Sequence, residues 1–318
     1  MNGILQFKGQ LKNIYSKYSR IIDKIIRFVL AYSAFHIING DIGFMHTLTN
    51  PVVTLGLSVL CAFLPSVYTV LAAAALILGH VYSVSLGMLI VTAVIFLIMF
   101  VFYLRLAPGT AIVVLLMFLA HLLDVPMVIP IACGLLGSMA YAVPMVFGTV
   151  IFYVVNLVKD SAATLQTAGA EGFISGMADF AKQAVVNKEM WLIMIAGVIS
   201  MLAVYGIRRS GIAHAWKLAS AAGVVIYMII MTSGGTVLDV ETSVGELGKS
   251  AVAAVVVGLI LELLFFAVDY SKCENLQYED DEYYYYVKAV PKVGVAATNK
   301  KVKKINRRQE EAASEVTE

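Results

Sequence analysis

The chain has 318 residues, of which 60% are hydrophobic and only 14% charged, and its mean hydropathy is +0.85. Those proportions exclude an ordinary soluble domain, in which about half the residues are apolar and about a quarter charged. The net charge of +2 makes no case for nucleic-acid binding, because in a membrane chain what counts is the side on which each cation lies.

Charge is also partitioned along the chain. Residues 271–318 carry nine basic and nine acidic side chains, whereas the much longer stretch 28–270 carries 19 in all. The middle therefore reads as lipid-solvated and the end as water-solvated. Cys61, Cys133 and Cys273 suggest neither a disulfide framework nor a metal cluster.

At the N-terminus, Lys8, Lys12, Lys17, Arg20, Lys24 and Arg27 surround the approach to the first strongly apolar run, near Ile25, and no small-residue cleavage site follows. This is not the pattern of a cleaved signal peptide. Ile4, Leu5, Leu11, Ile14, Tyr15, Tyr18, Ile21, Ile22 and Ile25 recur at near-helical spacing opposite those cations. An interfacial helix on an anionic leaflet and a plain lead-in to the first span both fit.

Apolar runs follow at about 25–40, 51–63, 65–82, 85–104, 109–123, 127–142, 145–158, 190–207, 212–231 and 251–270. The expected fold is an all-α polytopic bundle of about ten segments. A full crossing takes about 20 apolar residues, which 85–104, 212–231 and 251–270 supply. The runs at 51–63 and 109–158 are cut short by Pro51, Pro65, Pro108, Pro126, Pro130 and Pro144. The pair 127–142 and 145–158 reads as two spans or as one re-entrant hairpin. Interrupted helices are tolerated at membrane depth where protein or a hydrated cavity satisfies the backbone, and they point to a substrate site; Pro-kinked packing helices are the plainer alternative. Pro126, Pro130, Gly134, Pro144 and Glu262 are the candidate pathway residues.

The long connection 159–189 contains Phe173, Ile174, Met177, Phe180, Ala181, Ala184 and Val185 at helical spacing against Ser175, Asp179, Lys182 and Gln183, the pattern of an amphipathic surface helix or lid. The expected division is a cytoplasmic amphipathic segment (1–24), a membrane region of short and broken helices (25–158), an extracytoplasmic loop (159–189), three further spans (190–270) and a cytoplasmic charged tail (271–318). With both termini inside, Arg105, Arg208 and Arg209 face the cytoplasm, as the positive-inside bias requires.

Few residues offer chemistry. Glu262 is a carboxylate well inside a span, with no base one turn away in its own helix; intramembrane charges are candidate functional residues. His121 and Asp124 share a helical face at i, i+3, and His80 lies near the end of its segment; two ligands do not make a zinc site, so an interfacial capping role is expected. His214, Trp216 and Lys217 read as anchors at a span's start. No H-E-x-x-H, G-x-S-x-G, P-loop or dinucleotide fingerprint occurs. The sequence thus leads us to expect no enzyme, no catalytic residues, no metal and no cofactor, and any active pumping would require a separate energising subunit.

The tail runs through Tyr283, Tyr284, Tyr285, Tyr286 and Val287, which favour an extended strand. A solitary strand is unstable in water, so this one is expected to join a partner's sheet edge or stay disordered. Lys300, Lys301, Lys303, Lys304, Arg307 and Arg308 form a basic block suited to anionic lipid. In its Pro-punctuated core and this tail, most of the chain resembles uncharacterised bacterial polytopic membrane proteins, a resemblance that implies no known activity. The expectation is a cell-membrane, permease-like component for a small neutral or amphiphilic solute or lipid. The alternative is a scaffold whose tail recruits a cytoplasmic partner. Membrane lipids are the expected partners, nucleic acid is not, and an oligomer is compatible with either reading.

Overall fold

The computed structural model describes residues 2–107, 109–165, 172–212, 214–265, 274–280 and 282–289. The helices are α1 (Asn2–Ile42), α2 (Pro51–Phe63), α3 (Ser66–Val84), α4 (Leu86–Leu106), α5 (Ala111–Leu122), α6 (Val128–Leu136), α7 (Ala142–Leu165), α8 (Gly172–Val186), α9 (Lys188–Arg208), α10 (Ala215–Leu238) and α11 (Val244–Phe265). A strand pair follows, β1 (Glu274–Glu279) and β2 (Tyr284–Ala289). Tyr15–Phe266 form one compact unit and the hairpin belongs to another.

Among the described residues, six stretches are long and apolar enough to cross a membrane. They involve α3, α4, α7, α9, α10 and α11, and they make the chain a multi-pass membrane protein. The expected ten crossings come down because several apolar runs form short helices. At 1.5 Å per residue, the 12 residues of α5 and the nine of α6 cover about 18 Å and 14 Å, against a hydrocarbon core of about 30 Å. The run at 127–142 therefore ends as a half-helix. The run at 145–158 belongs to a 24-residue helix that starts at Ala142, with Pro144 in its first turn, where the missing N–H is not needed.

Local chemistry explains the boundaries. Asn50 accepts a hydrogen bond from the Val52 amide at 2.9 Å, and Pro51 opens α2; Leu64, before Pro65, takes extended angles and ends it. Ser85 caps α4 through the Gly87 amide at 3.2 Å, and Asn187 caps α9 through the Met190 amide at 3.0 Å. The expected amphipathic helix is α8, whose Phe180 and Ala184 are buried while Asp179, Lys182 and Gln183 are exposed. The side chains of 172–175 lie outside the described residues.

The two largest apolar cores among the described residues organise the bundle. One gathers Phe35 and Ile38 of α1, Ile77 of α3, Met88 of α4, Phe118 of α5, Val154 of α7 and Phe180 of α8. The other gathers Ile131 and Leu135 of α6, Val204 of α9, Tyr227 of α10 and Ala254 of α11. In α1, Tyr18 departs from helical angles (φ −121°, ψ 23°), so the long first helix is kinked midway along its basic approach.

The hairpin corrects one expectation. The Tyr-rich strand finds its partner within the chain: Leu276 faces Val287, Gln277 faces Tyr286, Tyr278 faces Tyr285 and Glu279 faces Tyr284 in antiparallel register.

Candidate functional site

The interrupted region is built around α6. After α5, Asp124 adopts a left-handed conformation (φ 57°), reversing the chain into the half-helix. A helix that stops after nine residues leaves its last carbonyls without intrahelical donors. Arg208, at the end of α9, reaches across to the Leu135 carbonyl and, at 3.2 Å, to that of Gly137. The guanidinium also lies 5.4 Å from the Tyr205 ring centroid and 5.9 Å from that of Trp216. It thus caps α6 and places a cation at the negative end of the helix dipole.

Glycines bring the neighbouring helices close. A Cβ on Gly134 would come within 2.6 Å of Val204 Cβ and 2.9 Å of the Met201 carbonyl; one on Gly223 of α10 would strike Val204 Cγ2. Val204, fully buried, is therefore wedged between α6 and α10. Similarly, a Cβ on Gly148 of α7 would fall 2.5 Å from the Val114 carbonyl of α5.

His80 is a structural residue. The Met45 amide donates to its Nδ1 at 3.1 Å, which makes Nε2 the protonated nitrogen that donates to Asn39 Oδ1 at 3.0 Å. Asn39 in turn donates to the Leu48 carbonyl and to Thr54 Oγ1, both at 2.9 Å. This network ties the loop after α1 to α2 and α3.

Two cavities in the bundle bear on function. An apolar one of about 420 Å³, open on one side, lies between α3, α4, α5 and α7, with walls that include Val70, Ala74, Phe96, Phe100, Val114 and Phe147; Tyr103 contributes a lining side chain with a polar atom. A smaller cavity of about 170 Å³ is polar, lined by His121, Asp124, Phe152, Tyr153, Glu189, Tyr227, Glu241, Glu246 and Ser250. His121 donates from Nδ1 to the Met117 carbonyl at 2.9 Å, and its ring sits 4.8 Å from that of Phe152.

No family, curated protein or solved structure matches this chain. The geometry alone therefore carries the functional argument.

The expected pathway residues separate. Pro126 lines the polar cavity. Pro130 and Gly134 pack against α9 at Gly197 and Val204, and Pro144 is buried. Glu262 lies near the other end of α11, half-buried, where Lys217 of α10 and His214, just before that helix, act on it electrostatically. Its compensating charges were invisible in its own helix because they come from the next one. Asp124 pairs with Lys249 at 3.4 Å across exposed surface, and among the described residues no group of three or more His, Cys, Asp or Glu is placed to hold a metal ion. Sequence reasoning missed Tyr153, Glu189, Tyr227 and Arg208 as site residues; the only available signal was that Glu189 and Arg208 border a long span.

In the tail, Tyr283, Tyr284, Tyr285, Tyr286 and Val287 are all exposed. Asp280 organises the turn, accepting from the Tyr285 hydroxyl at 2.8 Å and from the amides of Glu282 and Tyr283 at 3.0 Å and 2.6 Å. These bonds, the Tyr285 phenol first, hold its carboxyl below the usual carboxylate range, and the same contact raises the Tyr285 phenol. The basic block Lys300, Lys301, Lys303, Lys304, Arg307 and Arg308 lies outside the described residues.

Proposed function

We propose that this membrane protein is a permease-like component for a small neutral or amphiphilic solute or lipid. The observation that carries the reading is the apolar cavity between α3, α4, α5 and α7. Its volume of about 420 Å³ is within the range of ligand pockets, about 300–1,000 Å³. Its walls suit an alkyl or acyl moiety and offer a bare ion no more than the Tyr103 hydroxyl. The neighbouring short helices α5 and α6, the latter capped at its C-terminal end by Arg208, are the kind of interruption that transporters place beside a cargo site. Filling the cavity through Ala75→Trp and Ala93→Trp tests the reading: co-purifying amphiphile, identified by native mass spectrometry, is lost from both variants while the protein stays folded. Retention of the same species in both refutes the cargo role of this cavity.

The reading places both termini in the cytoplasm. In a cysteine-free background, a single cysteine near Gly245 then reacts with an impermeant thiol reagent applied outside, and those near Arg209 and Ala297 do not. Labelling at 297 in sealed cells overturns that orientation.

A scaffold role is the second reading, favoured by the exposed Tyr ladder of β2 and by a two-stranded sheet with both outer edges free among the described residues. Deleting residues 274–318 separates the two: a scaffold loses its partner in affinity purification, whereas a permease keeps its bound amphiphile.

A further inference from the structure

The polar cavity at the junction of α5, α7, α9, α10 and α11 has two features that packing alone does not explain. His121 is 5% exposed and Tyr227 is 1% exposed; both line the cavity, and neither His121 Nε2 nor the Tyr227 hydroxyl has a hydrogen-bond partner among the described residues. Buried polar atoms are rarely left so, because an unmade bond forfeits solvation without return. The partner of His121 Nε2 must be a donor if the ring is neutral: a carbonyl can only accept, so Nδ1 holds the proton facing Met117 and Nε2 presents its lone pair.

The remaining lining says what charge that donor carries. Glu189, Glu241 and Glu246 join Asp124 around the cavity, and among the described residues no Lys or Arg lines it. Asp124 already has Lys249, whereas Glu189 acts electrostatically on Tyr153. Glu189 and Glu246 also occupy first turns of helices, where carboxylates complement the dipole. That accounts for their sign, but not for the two orphaned groups beside them. The aromatic faces of Phe152, Tyr153 and Tyr227 are further attractive to a cation.

From this combination we infer that the cavity binds a small organic ammonium ion bearing N–H donors. Its ammonium group lies among the carboxylates, donates to His121 Nε2 and meets the Tyr227 hydroxyl. A metal ion is a poorer fit, since no described group of three or more His, Cys, Asp or Glu can hold one. The volume of about 170 Å³ sets the size of the part that enters: a cavity of about 150 Å³ holds benzene, so the buried part of the ligand has roughly six to eight non-hydrogen atoms or fewer. The inference stands apart from the apolar cavity, and its failure leaves the amphiphile reading untouched.

The test uses the full chain in lipid nanodiscs, titrated calorimetrically with n-butylammonium, 1-butanol, tetramethylammonium and Mg²⁺. We expect saturable n-butylammonium binding, with 1-butanol and tetramethylammonium weaker by at least about tenfold, the first lacking charge and the second lacking a donor. Tyr227→Phe, which removes only a hydroxyl without a protein partner, and Glu189→Gln each weaken n-butylammonium by about tenfold. Asp179→Asn, on the exposed face of α8, does not. Equal affinity for 1-butanol overturns the inference, as does unchanged binding in both Tyr227→Phe and Glu189→Gln. So does absence of saturation up to about 10 mM, or displacement of n-butylammonium by stoichiometric Mg²⁺, which would make the cavity an inorganic-cation site.

Discussion

Val204 offers a sharp test of how closely α6, α9 and α10 are packed. Replacing Gly223 with Ala gains about 1 kcal/mol in helix propensity, but drives the new methyl into Val204 Cγ2. Overpacking of this kind costs about 1–3 kcal/mol, so the net effect is a loss of up to about 2 kcal/mol. Val204→Ala alone removes two methyl groups from a fully buried position, at about 0.8 kcal/mol each plus a cavity contribution. Combined, the substitutions relieve each other, because the methyl introduced by Gly223→Ala occupies the space left by Cγ2; a coupling of about 1–2 kcal/mol is expected. Gly134→Ala provides the contrast. Its clash includes Val204 Cβ and the Met201 carbonyl, which Val204→Ala leaves in place, so the coupling is smaller. Reversible unfolding in mixed detergent micelles, followed through Trp191 and Trp216, measures both cycles. A stabilising Gly223→Ala, or equal couplings in the two cycles, refutes the packing argument.

Arg208→Met should destabilise the protein by about 1–3 kcal/mol by leaving the α6 carbonyls uncapped, and Arg208→Lys should recover only part of that because one ammonium cannot fork across two carbonyls; chemical unfolding checks both. Asn39→Leu orphans His80 Nε2, and a loss of about 1–3 kcal/mol should appear in the same assay, together with faster hydrogen exchange at Met45. The hairpin should respond to acid: Asp280 has a depressed folded pKa, so its contribution is complete above the usual carboxylate range and disappears as pH falls through that lowered value. Tyr285 amide shifts, followed by NMR across the acid range, report this, and Asp280→Asn should flatten the pH dependence.

The class of the fold was legible because lipid imposes a composition that no soluble chain shares. Length was legible where an apolar run was uninterrupted, as at 85–104 and 251–270. It misled at 127–142, where apolar character continues through Gly137 and Ser138 although the helix ends at Leu136; composition records solvent, not hydrogen bonding. The site was less readable because its parts come from distant segments. His121 and Asp124 announced themselves by spacing, but Tyr227 belongs to a helix more than a hundred residues away and looks there like any core aromatic. His80 read as an end-of-span residue because its partners, Asn39 and Met45, precede it by a whole helix. The tail strand was recognisable from its Tyr and Val content, whereas its partner, Glu274–Glu279, has only Leu276 and Tyr278 to mark it as a strand.

The connection between α8 and α9 has a mechanical consequence. A single residue, Asn187, separates them, and its side chain is fixed on the Met190 amide. One residue supplies only two soft torsions, so the two helices can swivel about this joint but cannot slide past each other. Since Phe180 and Ala184 are embedded in the first core and α9 contributes Val204 to the second, the joint acts as a tether of fixed length. An axial shift of α9 pulls α8 along the surface of its own core, and the two halves of the bundle move in step.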